Sequence, residues 1–210
     1  MSSEVHHPLF ARFFDRLSGV MERELAGPRD ELLVGLSRRV LEVGAGNGMN
    51  FRHYPDSVEE VVAIEPEPYL RAKAQRAAQL APVRVAVRAG VANRLEFEDA
   101  SFDGAVASLV LCSVPDQGDA LAELRRVLRP GGELRFLEHV RSDSAGKARV
   151  QGVLDRSGTW PRMAGGCHCG RDTVSAIRAA GFRVERVRPI DAGPSWWLTN
   201  PHVLGVAIRL

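Results

Sequence analysis

Glycine occupies every second position from Gly44 to Gly48, directly after an apolar run that carries Glu42. Glycine opens left-handed backbone conformations and removes Cβ from a ligand's path. A turn of this kind between a strand and a helix lets a nucleotide-like molecule approach backbone N–H groups closely. The dinucleotide fingerprint needs G-x-G-x-x-G, and its third glycine position is Met49 here. Glu42 at the entrance of the loop opposes a pyrophosphate and suits a ligand with a cationic amino-acid end. Glu65 closes the next apolar run, where a carboxylate can accept two hydrogen bonds from a ribose diol. Taken by itself, Glu65 reads equally well as a solvated strand end.

A second group of reactive side chains comes later: Cys112, His139, the run Cys167-His168-Cys169, and His202. His139 closes an apolar run and is the first candidate for acid/base work or for orienting a substrate. A packed histidine bonded to backbone is the alternative. Cys112 reads as pocket wall rather than reactive thiol. Cys167 and Cys169 could both hold a metal only if His168 turned away. Structural zinc wants four ligands with C-x-x-C spacing, and no second pair exists, so no metal is expected. The plainer reading is a turn into a helix, capped near Gly170, Asp172 or Thr173, with His168 left to face a substrate. Trp196 and Trp197 in "PSWW" suit an apolar wall or simple packing, and Phe10, Phe13 and Phe14 have the same two readings.

These residues need a scaffold. Strand patterns occur at 39–43, 60–65, 83–89, 103–110, 133–140, 182–188 and 203–210. Helical patterns occur at 8–37, 68–80, 118–128 and 174–180. "RPGG" at 129–132 reads as a helix stop. Alternating strands and helices predict an α/β fold with a mostly parallel sheet and helices on both faces. Only a loop joins the last two strands, which predicts an antiparallel pair at that edge. The stretch 141–170 reads as an irregular, Gly-rich insert beside the strand C-termini, where open α/β sheets bind ligands. The segment 8–37 should pack over the same edge.

The sequence has 210 residues, 28 Lys+Arg against 26 Asp+Glu, and a net charge of +2. Scattered charge of this balance gives no reason to expect nucleic acid. Three cysteines with clustered spacing do not form a disulfide framework, which points to the reducing cytoplasm. No apolar run is long enough to span a membrane, and the N-terminus "MSSEVHHPLFARFF" has no signal-peptide pattern.

Four stretches in order, "VLEVGAGNG", "AIEPEP", "FEDASFDGAVASLVLCSVPD" and "LRRVLRPGGELRFLEHV", resemble the motifs of class I S-adenosylmethionine-dependent methyltransferases. "GNGMNFRHYP", "GGCHCGRDT" and "SWWLTNPHVLGVAIR" are similar to the methyltransferase-like group that includes alkyl-thiol S-methyltransferases. Those relatives often begin with a hydrophobic anchor, and none is read here.

The resemblance implies a Rossmann-like, seven-stranded single domain over 1–210. Its parts would be a helical cap (1–38), a cofactor-binding core (39–140), an insert (141–170) and a C-terminal helix with strands (171–210). It implies S-adenosylmethionine as cofactor and S-adenosylhomocysteine as product. Gly44, Ala45 and Gly46 would pass under the methionine part, with Glu42 close to its amino group. Glu65 would hold the ribose and Pro66 would pack near the adenine. Gly90, Val91 and Ala92 would flank the adenine through backbone, since Val91 stands where the family often has Asp. The Leu109 backbone would meet the cofactor's ammonium, and Asn50 would touch the cofactor or stay structural. Cys112, His168, Trp197 and His202 would line the substrate pocket, with His139 as the catalytic residue.

The expected activity is methyl transfer to a small, hydrophobic acceptor, a thiol by resemblance. N- or C-methylation of a lipid or quinone-like acceptor is the alternative, followed by a non-catalytic cofactor binder. A nicotinamide oxidoreductase is opposed by Met49. The oligomeric state, monomer or dimer, is left open.

Overall fold

The computed structural model describes residues 8–193 and 196–210. The signal-peptide reading of residues 1–7 and the first two residues of "PSWW" lie outside the described residues. The elements are α1 (Pro8–Leu33), β1 (Arg38–Val43), a 3-10 turn (Phe51–His53), β2 (Val58–Ile64), α2 (Pro68–Ala78), β3 (Arg84–Arg88) and β4 (Phe102–Ser108). They continue as α3 (Gln117–Val127), β5 (Leu128–His139), α4 (Ala145–Arg156), α5 (Thr159–Met163), α6 (Thr173–Ala179), β6 (Phe182–Asp191) and β7 (Pro201–Arg209).

The sheet order is β3-β2-β1-β4-β5-β7-β6. The first five strands pair in parallel, while β7 runs antiparallel to both β5 and β6. The fold class is therefore the expected one. Alternation along each strand sorts its side chains between two cores. Leu41, Val43, Ala105 and Phe136 meet α3 and α6 on one face. Val40, Val61, Val106 and Leu137 meet α1 and α2 on the other. Apolar positions of α3 (Leu121, Leu124, Val127) are buried at helical spacing. Asp116 caps that helix by accepting from the Asp119 N–H at 3.0 Å. Asp172 does the same for α6 at 3.0 Å, one of the three capping positions proposed from sequence.

Two expectations need correction. The insert over 141–170 is not irregular: it carries α4 and α5. Its glycines mask the pattern but sit largely outside the helices, and Gly158 and Gly165 adopt positive φ at the turns. "RPGG" follows the end of α3 as a helix stop should, but β5 begins earlier than the expected residue 133. Leu128 already has extended backbone at the end of α3, and Phe102 pairs with Leu128 before the register shifts. The four residues thus form the irregular start of β5, with Gly131 at φ +76°.

Candidate functional site

The C-terminal ends of the parallel strands open into one cavity of about 930 Å³, within the usual range for small-molecule sites. One end is lined by Gly44, Gly46, Glu65, Pro66, the Gly90–Ala92 turn and Leu109. The other end is lined by Cys112, His139, Cys167, His202, Trp160 and Trp197. Helix α1 lies over both. Phe10 and Phe14 stack at 6.0 Å and line the cavity, so both readings of these rings, packing and wall, hold together. Asp15 fastens the helix. It accepts from Asn47 Nδ2 in the glycine loop at 3.0 Å and from Tyr69 Oη on α2 at 3.0 Å, and it pairs with Lys73 at 3.1 Å.

The glycine loop is built for close approach. Gly44 has φ +62°, and a Cβ there would stand 2.2 Å from Val110 Cγ2. Gly46 has φ +57° and faces Phe14. Glu65 is 5% exposed and closes the loop from the next strand. Its carboxylate accepts from the Gly46 N–H at 2.8 Å and from the Glu67 N–H at 2.9 Å. Burial pushes its pKa up, against these two bonds. Each oxygen has one such bond and a second lone pair, and the residue lines the cavity.

Glu42, Ala45 and Asn50 do not line the main cavity. They border a small neighbouring space beneath the glycine loop, together with Gly44, Gly46 and Leu109. Strand alternation turns Glu42 toward α1. There Asn50 Nδ2 donates to it at 2.8 Å and the Tyr54 hydroxyl donates at 2.7 Å. Arg29 of α1 donates to Asn50 Oδ1 and pairs with Glu22 at 3.3 Å. Burial dominates the electrostatics and pushes the Glu42 pKa up to about 7. Asn50 thus holds Glu42, a structural role the sequence had kept open. The sequence places Tyr54 after the loop without a role and does not mark Arg29, because nothing local to either residue marks a partner in β1.

At the far end, β5 and β7 set the geometry. His139 lies directly opposite His202 in the antiparallel pair, so both rings share a face, 6.0 Å apart and perpendicular. His139 Nε2 lies 3.0 Å from Cys167 Sγ, and the Trp160 indole N–H donates to that sulfur at 3.3 Å. The Cys112 thiol and burial push the Cys167 thiol up, so it is the neutral thiol that faces His139. Cys169 turns the other way, toward Asp155, whose carboxylate accepts from its backbone N–H at 3.0 Å. Burial raises this thiol to about 12.

His168, expected in the substrate pocket, does not line the cavity. Its ring bonds the Gly166 carbonyl at 2.9 Å, and its backbone N–H donates to the Cys112 carbonyl at 2.8 Å. Both bonds turn it into a brace between two loops.

Glu138 is the residue most easily overlooked. It is 0% exposed on β5. Its carboxylate gathers three successive backbone N–H groups, Val110 at 2.9 Å, Leu111 at 2.8 Å and Cys112 at 3.3 Å. The chain reaches this arrangement through Leu109, whose φ is +57°. In sequence, Glu138 is one acidic residue in an apolar strand, and that is the available signal: a carboxylate in a central strand must find donors. Replacing Glu138 with alanine leaves three N–H groups unpaired, two of them buried. The expected cost is about 3–5 kcal/mol, read as a drop in Tm of roughly 10 °C. A drop below about 2 °C, a small fraction of that expectation, would show that the loop finds its donors another acceptor.

The chain matches the "Methyltransferase domain" family model over residues 41–136. It is 34% identical over 213 residues to "Thiol S-methyltransferase TMT1A" of Homo sapiens, covering 95% of this chain and 86% of that protein. It is 34% identical over 208 residues to "Thiol S-methyltransferase TMT1B" of Rattus norvegicus, covering 96% and 83%. Among solved structures, a geranyl diphosphate methyltransferase in complex with SAM superposes with a TM-score of 0.67 at 14% identity, over 88% of this chain and 84% of that one. That likeness speaks for the fold alone. No helix among the described residues is long and apolar enough to cross a membrane. The chain belongs to the class I S-adenosylmethionine-dependent methyltransferases and stands close to the thiol S-methyltransferases among them.

Proposed function

We propose that the enzyme methylates the sulfur of a small, hydrophobic thiol. The observation that carries this reading is the make-up of the large cavity. Its glycine-loop end suits the cofactor, and its other end is an apolar chamber whose polar groups are chiefly cysteine and histidine. The similarity to thiol S-methyltransferases along nearly the whole chain supports it.

The cofactor's methionine part lies along Gly44, Ala45 and Gly46. Its ammonium is drawn toward the Leu109 backbone and the field of Glu42 beneath the loop. Asn50 acts through Glu42. Glu65 accepts from the ribose hydroxyls with its remaining lone pairs. Pro66, Gly90, Val91 and Ala92 enclose the adenine. The acceptor enters between Trp197, Cys112 and His202, with His139 at the reacting sulfur. Methyl transfer is an in-line displacement, so the protein's main task is positioning and exclusion of water. The acceptor's S–H bond breaks with its proton passing to His139 and on to solvent, a sulfur–methyl bond forms and the sulfonium carbon–sulfur bond breaks. That electron pair stays on the sulfur of S-adenosylhomocysteine. The three cysteines are free and buried, which supports a reducing compartment, the cytoplasm.

The test is transfer of labelled methyl from S-adenosylmethionine to aliphatic thiols, sulfide, a quinol and a phospholipid amine. Label is expected on the aliphatic thiols. His139→Ala should lower turnover by about 10²-fold or more, the usual worth of a positioned acid/base group, while S-adenosylhomocysteine still raises Tm. Label on the quinol or amine instead would replace the thiol reading. Cofactor binding with no label on any acceptor would favour a non-catalytic binder.

A further inference from the structure

We propose that Cys112, His139 and Cys167 form a three-ligand site for a soft divalent metal, zinc by its chemistry. Its fourth position would open into the cavity and take the acceptor as a thiolate. The ligand atoms of these three buried residues lie within 4.8 Å of one another. His139 Nε2 and Cys167 Sγ stand 3.0 Å apart. Neighbouring ligand atoms of a tetrahedral zinc site with two thiolates and an imidazole stand roughly 3.5–3.8 Å apart. Rotamer-scale adjustments therefore suffice. Two sulfurs and one imidazole select zinc-like ions over magnesium or calcium. Three protein ligands with an open position is also the pattern of catalytic rather than structural zinc.

The site is held in shape without an ion. Cys112 is fixed by the three N–H groups that Glu138 gathers. His139 sits in the β5–β7 pairing. The Cys167 N–H donates to the Ala164 carbonyl at 3.0 Å, and the His168 N–H ties this loop to the Cys112 carbonyl. Trp160 supplies an N–H to the Cys167 sulfur, the kind of outer bond that orients a ligand. His139 itself is 6% exposed, and its Nε2 faces the Cys167 thiol. A buried imidazole whose side-chain partner is a thiol is poorly satisfied. A metal replaces that weak bond with a coordinate one. Two thiolates and a divalent ion sum to zero charge, which an apolar chamber tolerates.

The chemistry follows. An acceptor thiol binds the open position, and its proton leaves to solvent. The bound thiolate's lone pair forms the bond to the methyl carbon as the sulfonium bond breaks toward S-adenosylhomocysteine. The product thioether is neutral, a weaker ligand, and departs. In the metal-bound site His139 acts as a ligand in place of the acid/base role given above, and no general base is required. The acceptor clause rests on the thiol reading above; metal binding does not.

The experiment is titration of metal-free, reduced protein with Co²⁺, followed by an aliphatic thiol. One equivalent should produce visible bands of a tetrahedral ion and a sulfur-to-cobalt charge-transfer band. C112S and C167S should each weaken binding by more than the roughly 100-fold that loss of an outer-shell partner costs. C169S should behave as wild type. S-adenosylhomocysteine should still raise the Tm of every variant, showing that each is folded. The added thiol should shift the visible bands without any S-adenosylmethionine. Wild-type protein that binds no Co²⁺, lacks the charge-transfer band, or instead holds a Cys112–Cys167 disulfide that excludes the ion, would overturn the site. Bands unmoved by thiol would overturn the acceptor clause alone. Undiminished thiol methylation by metal-free protein would remove the metal from the reaction while leaving the thiol reading intact.

Discussion

Replacing Gly44 with alanine is expected to abolish cofactor binding, lowering affinity for S-adenosylhomocysteine by at least about 100-fold, some 2.7 kcal/mol. Two independent effects add at this position. The residue sits at φ +62°, a conformation in which an L side chain costs roughly 1–2 kcal/mol. The new Cβ would also stand 2.2 Å from Val110 Cγ2 and 2.8 Å from Val110 Cβ, so Val110 cannot yield by a rotamer change alone. Its backbone cannot retreat freely either, because its N–H is bound to Glu138. The glycine loop must therefore move, and the cavity floor with it.

Gly46→Ala is the informative comparison. Its φ of +57° carries the same strain of roughly 1–2 kcal/mol, but its Cβ meets Phe14 at 3.4 Å and nothing closer. It should keep most of the protein's stability yet still obstruct the ligand. Thermal unfolding with and without S-adenosylhomocysteine separates the two. Gly44→Ala should lower Tm and erase the ligand-induced rise, whereas Gly46→Ala should mainly erase the rise. Adding Val110→Ala to Gly44→Ala should recover part of the lost stability. If Gly44→Ala binds the ligand as wild type does, the loop is not the cofactor's cradle.

The fold was legible in the sequence because its strands announce themselves locally. "RVLEV" and "EVVAIE" are apolar runs ended by glycine or proline, and tertiary packing agrees with propensity there. What failed was also local. The insert's glycines hid α4 and α5, and the fifth strand, expected from 133, has its extended backbone from Leu128 onward. The cavity residues of the glycine loop and strand ends could be found because each follows an apolar run. The polar scaffolding could not. Glu42 is recognised by Asn50, Tyr54 and, through Asn50, Arg29, and Cys112, His139 and Cys167 come from three separate segments. Such partnerships arise from where strand order brings loops together, which no single window of sequence contains. The pair Cys167 and Cys169, separated by His168, draws notice for its spacing, yet the two thiols point to different neighbours.

Cofactor affinity is expected to fall by up to about tenfold per pH unit below pH 7, the limit for a single linked proton. Burial raises the Glu42 pKa to about 7, well above its ordinary value of 4.5. In the free protein, this raised pKa means that Glu42's contribution to stability is complete below 4.5. It is lost as pH climbs through 7, since burying the ionised carboxylate becomes progressively unfavourable. A cationic ammonium above the loop reverses that penalty by favouring the charged form. Binding therefore expels a proton between roughly pH 5 and 7. Above pH 7 the affinity should level off, until the cofactor's own amino group titrates near about 8. The Tm gain from S-adenosylhomocysteine should accordingly be larger at pH 7.5 than at pH 5.5, while the free protein shows the opposite trend from Glu42 alone. Calorimetry at pH 6 in buffers of different ionisation enthalpy counts the proton directly. Wild type should release close to one proton per ligand, and Glu42→Gln should release none and bind with an affinity flat in pH. The amide still accepts from Tyr54, so the variant keeps part of the buried network and tests charge rather than packing. Equal proton counts for the two proteins would mean that Glu42 does not sense the ammonium and serves the fold alone.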